Sequence, residues 1–357
     1  MPGPATRPEP APTFRGARPR LRDTQGAGKR PLTWARRGRL TRRWIVYHLL
    51  LAPLIALLRA IPLPITRAFL RAVVEPLFHL STRKASQRHL AMVYGDSKDA
   101  AEIRHIARAV SRHFVLGIAE LVELLKHGPG PFEARTDVSA LEPIVRDLRG
   151  RPSPAFVGLT AHFGNWELLG CWFKRSGMVP EIAAVATPHS NPWLDRRIVD
   201  FRRSLGMETF RRQESSARLL RYLREGNAIA IVPDQDVKNI GGTFIDFLGH
   251  RAYTATGPAR LALASGAPIV CGFLMRKPDG GFELLTSAPI EPDRKAPREA
   301  EIDRLTRAWS AEVEKVILRA PEQWSWFHER WRTTPERLLA RGRQLTSGAN
   351  DDDGDAD

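Results

Sequence analysis

The stretch TAHFGNWELLG, residues 160–170, sets a histidine and a carboxylate at the joint between an apolar run and a helix-like one. Histidine titrates near neutral pH, so a histidine held by a carboxylate can take a proton from a weak nucleophile. Along a continuous α-helix five residues turn through about 500°, which would leave His162 and Glu167 pointing roughly 140° apart. They meet only if His162 stands in the turn before a helix and Glu167 in its first turn. Gly164 permits that turn and Asn165 is a good N-cap, so the spacing supports a His162–Glu167 dyad. The competing reading is a packed histidine beside a surface glutamate.

The elements around this joint decide between the two. Short β-like runs at 154–160, 181–187, 228–234, 268–276 and 282–288 alternate with helical stretches, several of which end in a glycine suited to a C-cap. Continuous apolar strands alternating with helices predict an α/β layer fold, with a mixed, largely parallel sheet flanked by helices. In such sheets ligands bind beyond the carboxyl ends of the strands. His162 follows the first run and Asp234 ends the third. With those strands parallel, His162, Glu167 and the PDQD cluster at 233–236, which holds Asp234 and Gln235, share one edge. A helix is expected over 97–128, where apolar residues recur from Ile103 to Leu124 at helical spacing. The stretch 237–257 reads as a long loop rich in glycine, threonine and aromatics, suited to lining an elongated groove. No internal repeat is visible.

The chain of 357 residues is strongly basic, with 55 Lys and Arg against 39 Asp and Glu. Residues 1–43 hold twelve of those cations and two acids, are rich in Pro and Gly, and are expected to be a disordered basic arm. Such an arm suits anionic lipid or nucleic acid equally. No zinc-finger spacing, RNP signature or helix-turn-helix accompanies it, so no nucleic-acid partner is expected. A non-catalytic lipid- or nucleic-acid-binding protein is the alternative of a different class. Residues 44–58, WIVYHLLLAPLIALL, carry no formal charge but fall short of the roughly twenty needed to span a bilayer. Beyond them apolar residues alternate with Arg59, Arg67 and Arg71. Residues 44–80 are therefore read as helices lying in or dipping into a membrane surface, with a single-pass anchor as competitor. The end of the chain, 336–357, reads as a flexible acidic tail. Two cysteines, Cys171 and Cys271, argue against a disulfide framework and fit a reducing compartment. The H-x4-E spacing lacks the same-face geometry of a zinc-binding H-E-x-x-H helix, so neither metal nor cofactor is expected.

Five blocks now carry a resemblance: HFGNWE (162–167), NPWLDRRIVDFR (191–202), PDQD (233–236), the stretch 241–270 and PEQWSWFHERW (321–331). In this order and spacing the chain resembles the late acyltransferases of bacterial lipid A biosynthesis, within the lysophospholipid acyltransferases. The resemblance covers about residue 44 to residue 335 and implies an acyltransferase domain over 81–335. It implies His162 and Glu167 as the catalytic dyad, Arg202 as the functional arginine and Asp234 as its partner. Asn165 and Gln235 then join these two as substrate-binding or transition-state residues. The implied reaction moves a fatty acyl group from a thioester on acyl carrier protein to a hydroxyl of a glycolipid acceptor. It would proceed at the cytoplasmic face of the inner membrane, against an anionic lipid surface. Arg196, Arg197, Arg203, Arg211 and Arg212 suit these acidic partners. The block FIDFLG departs from the family pattern at Asp246. A related branch acylates phosphatidylinositol mannosides, and lysophospholipid acylation is the other near alternative.

Overall fold

A computed structural model describes residues 41–236 and 241–338. Residues 1–40 of the expected basic arm, residues 237–240 of the expected loop and the acidic tail beyond residue 338 lie outside the described residues. So does the Cys171 side chain.

Five of the sheet's seven strands are the ones the apolar runs predict. Its strands are β1 (Thr136–Asp137), β2 (Phe156–Leu159), β3 (Ile182–Ala186), β4 (Met207–Arg211), β5 (Ala228–Ile231), β8 (Ile269–Arg276) and β9 (Phe282–Thr286). They lie in the order β1-β9-β8-β2-β5-β3-β4. β2 runs parallel to both β5 and β8, and β3 parallel to β4 and β5, while β9 is antiparallel to β8. Every residue of β8 is buried. A strand covered on both faces needs no polar alternation, which is why IVCGFLMR reads as an unbroken apolar run. The pleat still sorts its side chains: Ile269, Cys271 and Phe273 join one core, Val270 and Leu274 the other.

Two helical layers complete those cores. On one side lie α4 (Ala100–His127), α8 (Ser216–Arg224), α9 (Gly257–Ser265) and α10 (Arg298–Arg319), with Val110, Leu223, Ala262 and Trp309 buried. On the other lie α5 (Leu141–Arg149) and α6 (Trp166–Arg175), with Leu148, Leu168 and Phe173. The start of α4 is set by a capping box: Asp99 accepts from the Ala101 and Glu102 amides, and Glu102 accepts from the Asp99 amide.

Three features differ from the sequence expectation. The stretch 241–255, read as loop, forms a hairpin of β6 (Gly242–Phe247) and β7 (His250–Ala255). Its turn puts Leu248 at φ 50° and Gly249 at φ 76°. A two-residue turn of this hand usually takes Asn-Gly, so a leucine there hides the hairpin signal. Burial of the Leu248 side chain in the core offsets its backbone strain. β4 was not expected because METFR carries two charges, which an edge strand tolerates. Thirdly, the apolar N-terminal helix α1 is longer than its uncharged run, covering Thr41–Ala60. Its backbone widens to π-helical spacing at Val46–Leu51 just before Pro53, which lacks the amide a regular turn would use. By length and composition α1 is apolar enough to cross a membrane. It is followed by α2 (Leu63–Phe69) and α3 (Glu75–Tyr94).

Candidate active site

Because β2 and β5 are parallel and adjacent, the residues that follow them meet at one edge of the sheet. His162 follows β2, and Asp234 follows β5. The turn between β2 and α6 is pinned from several directions. Gly164 has φ 56°, and a Cβ built there would lie 1.9 Å from the Leu274 carbonyl oxygen, so only glycine fits. The Gly164 amide donates to the Gln323 carbonyl and the Asn165 amide to the Leu274 carbonyl. The His162 carbonyl accepts from both the amide and hydroxyl of Ser325. Asn165 caps α6 as expected, its Oδ1 accepting from the Leu168 amide at 3.0 Å. Its Nδ2 donates to Glu120 at 2.7 Å, so the Asn165 side chain is occupied by the protein itself.

The carboxylate on His162 is Asp234, not Glu167. His162 Nδ1 lies 2.7 Å from Asp234 Oδ1, and the His162 amide donates to Asp234 Oδ2 at 2.8 Å. The indole N–H of Trp324 gives Asp234 a further bond at 2.9 Å. Asp234 is 1% exposed and His162 24%. Burial alone would raise the Asp234 pKa, but the His162 charge and the hydrogen bonds from His162 and Trp324 outweigh it and hold it at about 2. Nδ1 is thereby fixed, leaving Nε2 for another molecule. Glu167 instead takes Arg202 of α7 (Pro192–Ser204), through both Nε and Nη2. The sequence reading placed His162, Glu167 and Asp234 at one edge, but the histidine it gave to Glu167 is held by Asp234, and Arg202, which the resemblance pairs with Asp234, is held by Glu167. Glu167 is the second residue of α6, and at that position its side chain turns toward α7 rather than back over the turn.

His328 stands behind His162, with ring centroids 5.4 Å apart, and Trp166 flanks it at 5.1 Å. Burial, followed by the neighbouring His162 charge, pushes the His328 pKa down to about 4. Gln235 lies beside Asp234, and its buried Nε2 has no hydrogen-bond partner among the described residues; the same holds for Thr160 Oγ1. Trp324, His328 and Glu120 were not singled out from sequence. The WSWFHERW block holding the first two was visible, but nothing in its spacing shows that its indole reaches a carboxylate ninety residues earlier.

From the Glu167–Arg202 pair an apolar cavity runs into the core between the sheet and α6. Its lining follows β2 from Thr160 down to Phe156, about 13 Å at a strand's usual rise. Phe156, Leu169, Phe173, Met207 and Val270 make its walls apolar. A Cβ at Gly170 would stand 2.0 Å from Met207 Sδ, so any larger residue there would have to displace the end of the Met207 side chain. The arrangement therefore combines a histidine polarised by a buried carboxylate with a narrow apolar slot, suited to an alkyl chain carrying a reactive group at its polar end.

The arginines expected to face acidic partners are partly engaged within the chain. Arg211 pairs with Asp195, Arg203 with Asp200, and Arg197 donates to the Tyr47 hydroxyl. Among the described residues, no group of three His, Cys, Asp or Glu side chains is placed to hold a metal ion.

A family profile described as bacterial lipid A biosynthesis acyltransferase matches residues 34–333. The chain is 31% identical over 210 residues to the lipid A biosynthesis lauroyltransferase of Escherichia coli, covering 58% of this chain and 65% of that one. It is 27% identical over 208 residues to the E. coli lipid A biosynthesis palmitoleoyltransferase, covering 56% and 62%. It is also 26% identical over 178 residues to a phosphatidylinositol mannoside acyltransferase of Mycobacterium tuberculosis, covering 48% and 52%. The chain thus spans less than two thirds of the length of each of these relatives.

Proposed function

Since the chain belongs to the bacterial lipid A biosynthesis acyltransferase family, we propose that it transfers a fatty acyl group from a thioester donor to a hydroxyl of a glycolipid. The observation that carries this reading is the Asp234–His162 pair beside Trp166, which lines an apolar slot running into the core. An alcohol is a poor nucleophile at neutral pH, so its proton must leave as it attacks. His162 Nε2 takes that proton; Asp234 on Nδ1 fixes the tautomer and stabilises the imidazolium that forms. The alcohol oxygen bonds to the thioester carbonyl carbon, the C–S bond breaks, and the thiolate leaves with the proton from Nε2. The acceptor hydroxyl occupies the place a serine would hold in a triad, so no acyl-enzyme is needed. Arg202, held by Glu167, and the amides at the start of α6 are the donors for the transition-state oxyanion.

Acyl carrier protein is the proposed donor and a lipid A-type precursor the proposed acceptor. The similarity to a phosphatidylinositol mannoside acyltransferase favours a mannoside acceptor as the second reading. Deleting and restoring the gene, followed by mass spectrometry of membrane lipids, tests both. Loss of one secondary acyl chain from a lipid A species supports the first reading; loss from a phosphatidylinositol mannoside supports the second. Lipids unchanged in both classes would reject them together.

The membrane is the proposed place of work. Trp44, Leu49, Leu50, Leu54 and Leu57 of α1 are exposed, as are Ile65 and Phe69 of α2 and Leu77 and Leu80 of α3. The opposite side of α1 is docked on protein. Tyr47 is buried, stacks on Trp193 of α7 and accepts from Arg197, while Leu58 is buried near the other end. A helix held along the domain at both ends presents its apolar face sideways, which suits insertion into the cytoplasmic leaflet better than a span.

A further inference from the structure

A second cleft, of about 1770 Å³ and open to solvent, lies between α2, α4, β1 and the turn after β8. Its wall carries charge of both signs. Glu123 takes Arg67 at 2.8 Å and Arg135 at 2.9 Å, Glu120 clamps Arg276 through two bonds of 2.7 Å, and Lys277 pairs with Asp279 at 3.3 Å. With Asp137 also in the lining and Glu123 buried behind Arg67 and Arg135, four cations are matched by three lining carboxylates and one directly beneath them. A phosphate site would show a cationic surplus. A dense, balanced set of donors and acceptors matches a polyhydroxylated ring.

The wall also holds unspent donors. Arg276 is 8% exposed, yet its Nη1 has no hydrogen-bond partner among the described residues, and neither have Arg135 Nε and His113 Nδ1. A buried donor left unpaired costs about 1–3 kcal/mol, so the two arginine donors, Arg276 Nη1 and Arg135 Nε, would be stabilised by a ligand that answers them. The rim is amphipathic in the right sense. Leu116, 40% exposed, lines it beside Arg67, which is flanked in sequence by the exposed Ile65 and Phe69. The cleft is also tied to the His162 turn. Glu120, in its wall, accepts from Asn165 at 2.7 Å. A small crevice with room for about one water shares His113 with the cleft and Trp166 with the acyl slot, and its lining includes Gly164, Trp324 and Ser325.

We propose that this cleft binds the sugar ring of the lipid acceptor, with its tails left in the bilayer beyond Leu116 and Arg67. The acyl donor and the acceptor then reach His162 from separate cavities joined at Trp166. The assignment rests on the acyltransferase reading, and its test separates the two.

The probe is an acylated glucosamine disaccharide carrying a photoreactive diazirine on the sugar, presented to the full chain in phospholipid vesicles and mapped by peptide mass spectrometry. Crosslinks on residues 113–120, 134–137 and 276–281 are expected. Labelling confined to other segments would overturn the assignment, whether or not the enzyme turns over. Correct labelling without acyl transfer from any thioester would keep the sugar site and reject the acyltransferase reading. Kinetically, Lys277→Ala and Leu116→Trp should each raise the KM for the disaccharide about tenfold while leaving the KM for the acyl thioester as it was. Equal rises in both constants, or none in either, would also overturn the sugar site. Competition by dodecyl phosphate as strong as that by dodecyl maltoside would show anion binding and count against a sugar.

Discussion

At the scale of single residues, the exchange of partners makes a prediction that the H-x4-E spacing alone reverses. Asp234 receives three donors, two from His162 and one from Trp324. Asp234→Asn leaves one oxygen for them and sets an amide N–H against a donor, so the His162 tautomer is no longer held. Single-turnover transfer should fall about 10²–10⁴-fold, as for loss of a positioned base. Glu167→Gln keeps one acceptor for Arg202 and should cost less; a Glu167→Gln loss larger than that of Asp234→Asn would return the dyad to Glu167. His162→Ala should match or exceed the Asp234→Asn loss. The buried histidines give a second prediction. His113 and His328 both have pKa values pushed down to about 4, by burial first and then by neighbouring positive charge. In the unfolded chain they take protons near pH 6.5. Between those values the unfolded state binds more protons, so stability present above pH 6.5 is lost as the pH falls toward 4. Melting temperatures measured from pH 7.5 to 4.5 should fall through that window, and His328→Gln should flatten the slope. An unchanged slope would mean His328 is already charged in the fold.

At the scale of elements, the strand-to-helix turn carries the site, and its tolerance is narrow. Gly164→Ala forces a side chain into left-handed backbone and onto the Leu274 carbonyl. The backbone strain alone costs roughly 1–2 kcal/mol, and the contact adds to it. Chemical denaturation should show a loss above about 2 kcal/mol, with His162 displaced and activity gone; a fully stable, active variant would show that the turn relaxes. How much of this was legible depends on the range of the interaction. The five interior runs and the Asn165 cap are local signals, written in periodicity and residue type, and all were readable. So was the shared edge of His162 and Asp234, because a parallel β2–β5 pair dictates it. Which carboxylate turns onto the histidine was not readable. It depends on the direction of side chains at the start of α6 and on Trp324, brought in from the far end of the chain. The β6–β7 hairpin was hidden for the opposite reason, since its turn uses Leu248 where local rules call for asparagine.

At the scale of the whole molecule, the proposed reaction requires a soluble thioester and a lipid to meet at one histidine. Most of the exposed large apolar residues fall between Trp44 and Leu80, on and around α1, α2 and α3, with Leu116 of α4, Val138 and Leu318 outside that stretch, whereas α1 is fastened to the domain by Tyr47 on Trp193 and by its packing on α4. A true span by α1 would require breaking those contacts or drawing Trp193 and Arg197 toward the hydrocarbon, where a charged side chain costs several kcal/mol. Lying flat, α1 keeps both contacts and buries its outer face in lipid. The protein should therefore sediment with membranes and be only partly released by high salt. Salt screens the attraction of arginines to headgroups but not apolar insertion. Cysteines introduced one at a time as Thr41→Cys and Ser81→Cys, in a chain carrying Cys171→Ala and Cys271→Ala, flank α1 and α2 and report the arrangement. The double alanine background should itself retain turnover, because direct transfer uses no thiol. In inverted membrane vesicles, which expose the cytoplasmic face, a membrane-impermeant maleimide should label both sites. Labelling of one site in inverted vesicles and of the other only in right-side-out spheroplasts would establish a span. The domain would then hang from α1, and Tyr47 could not remain on Trp193.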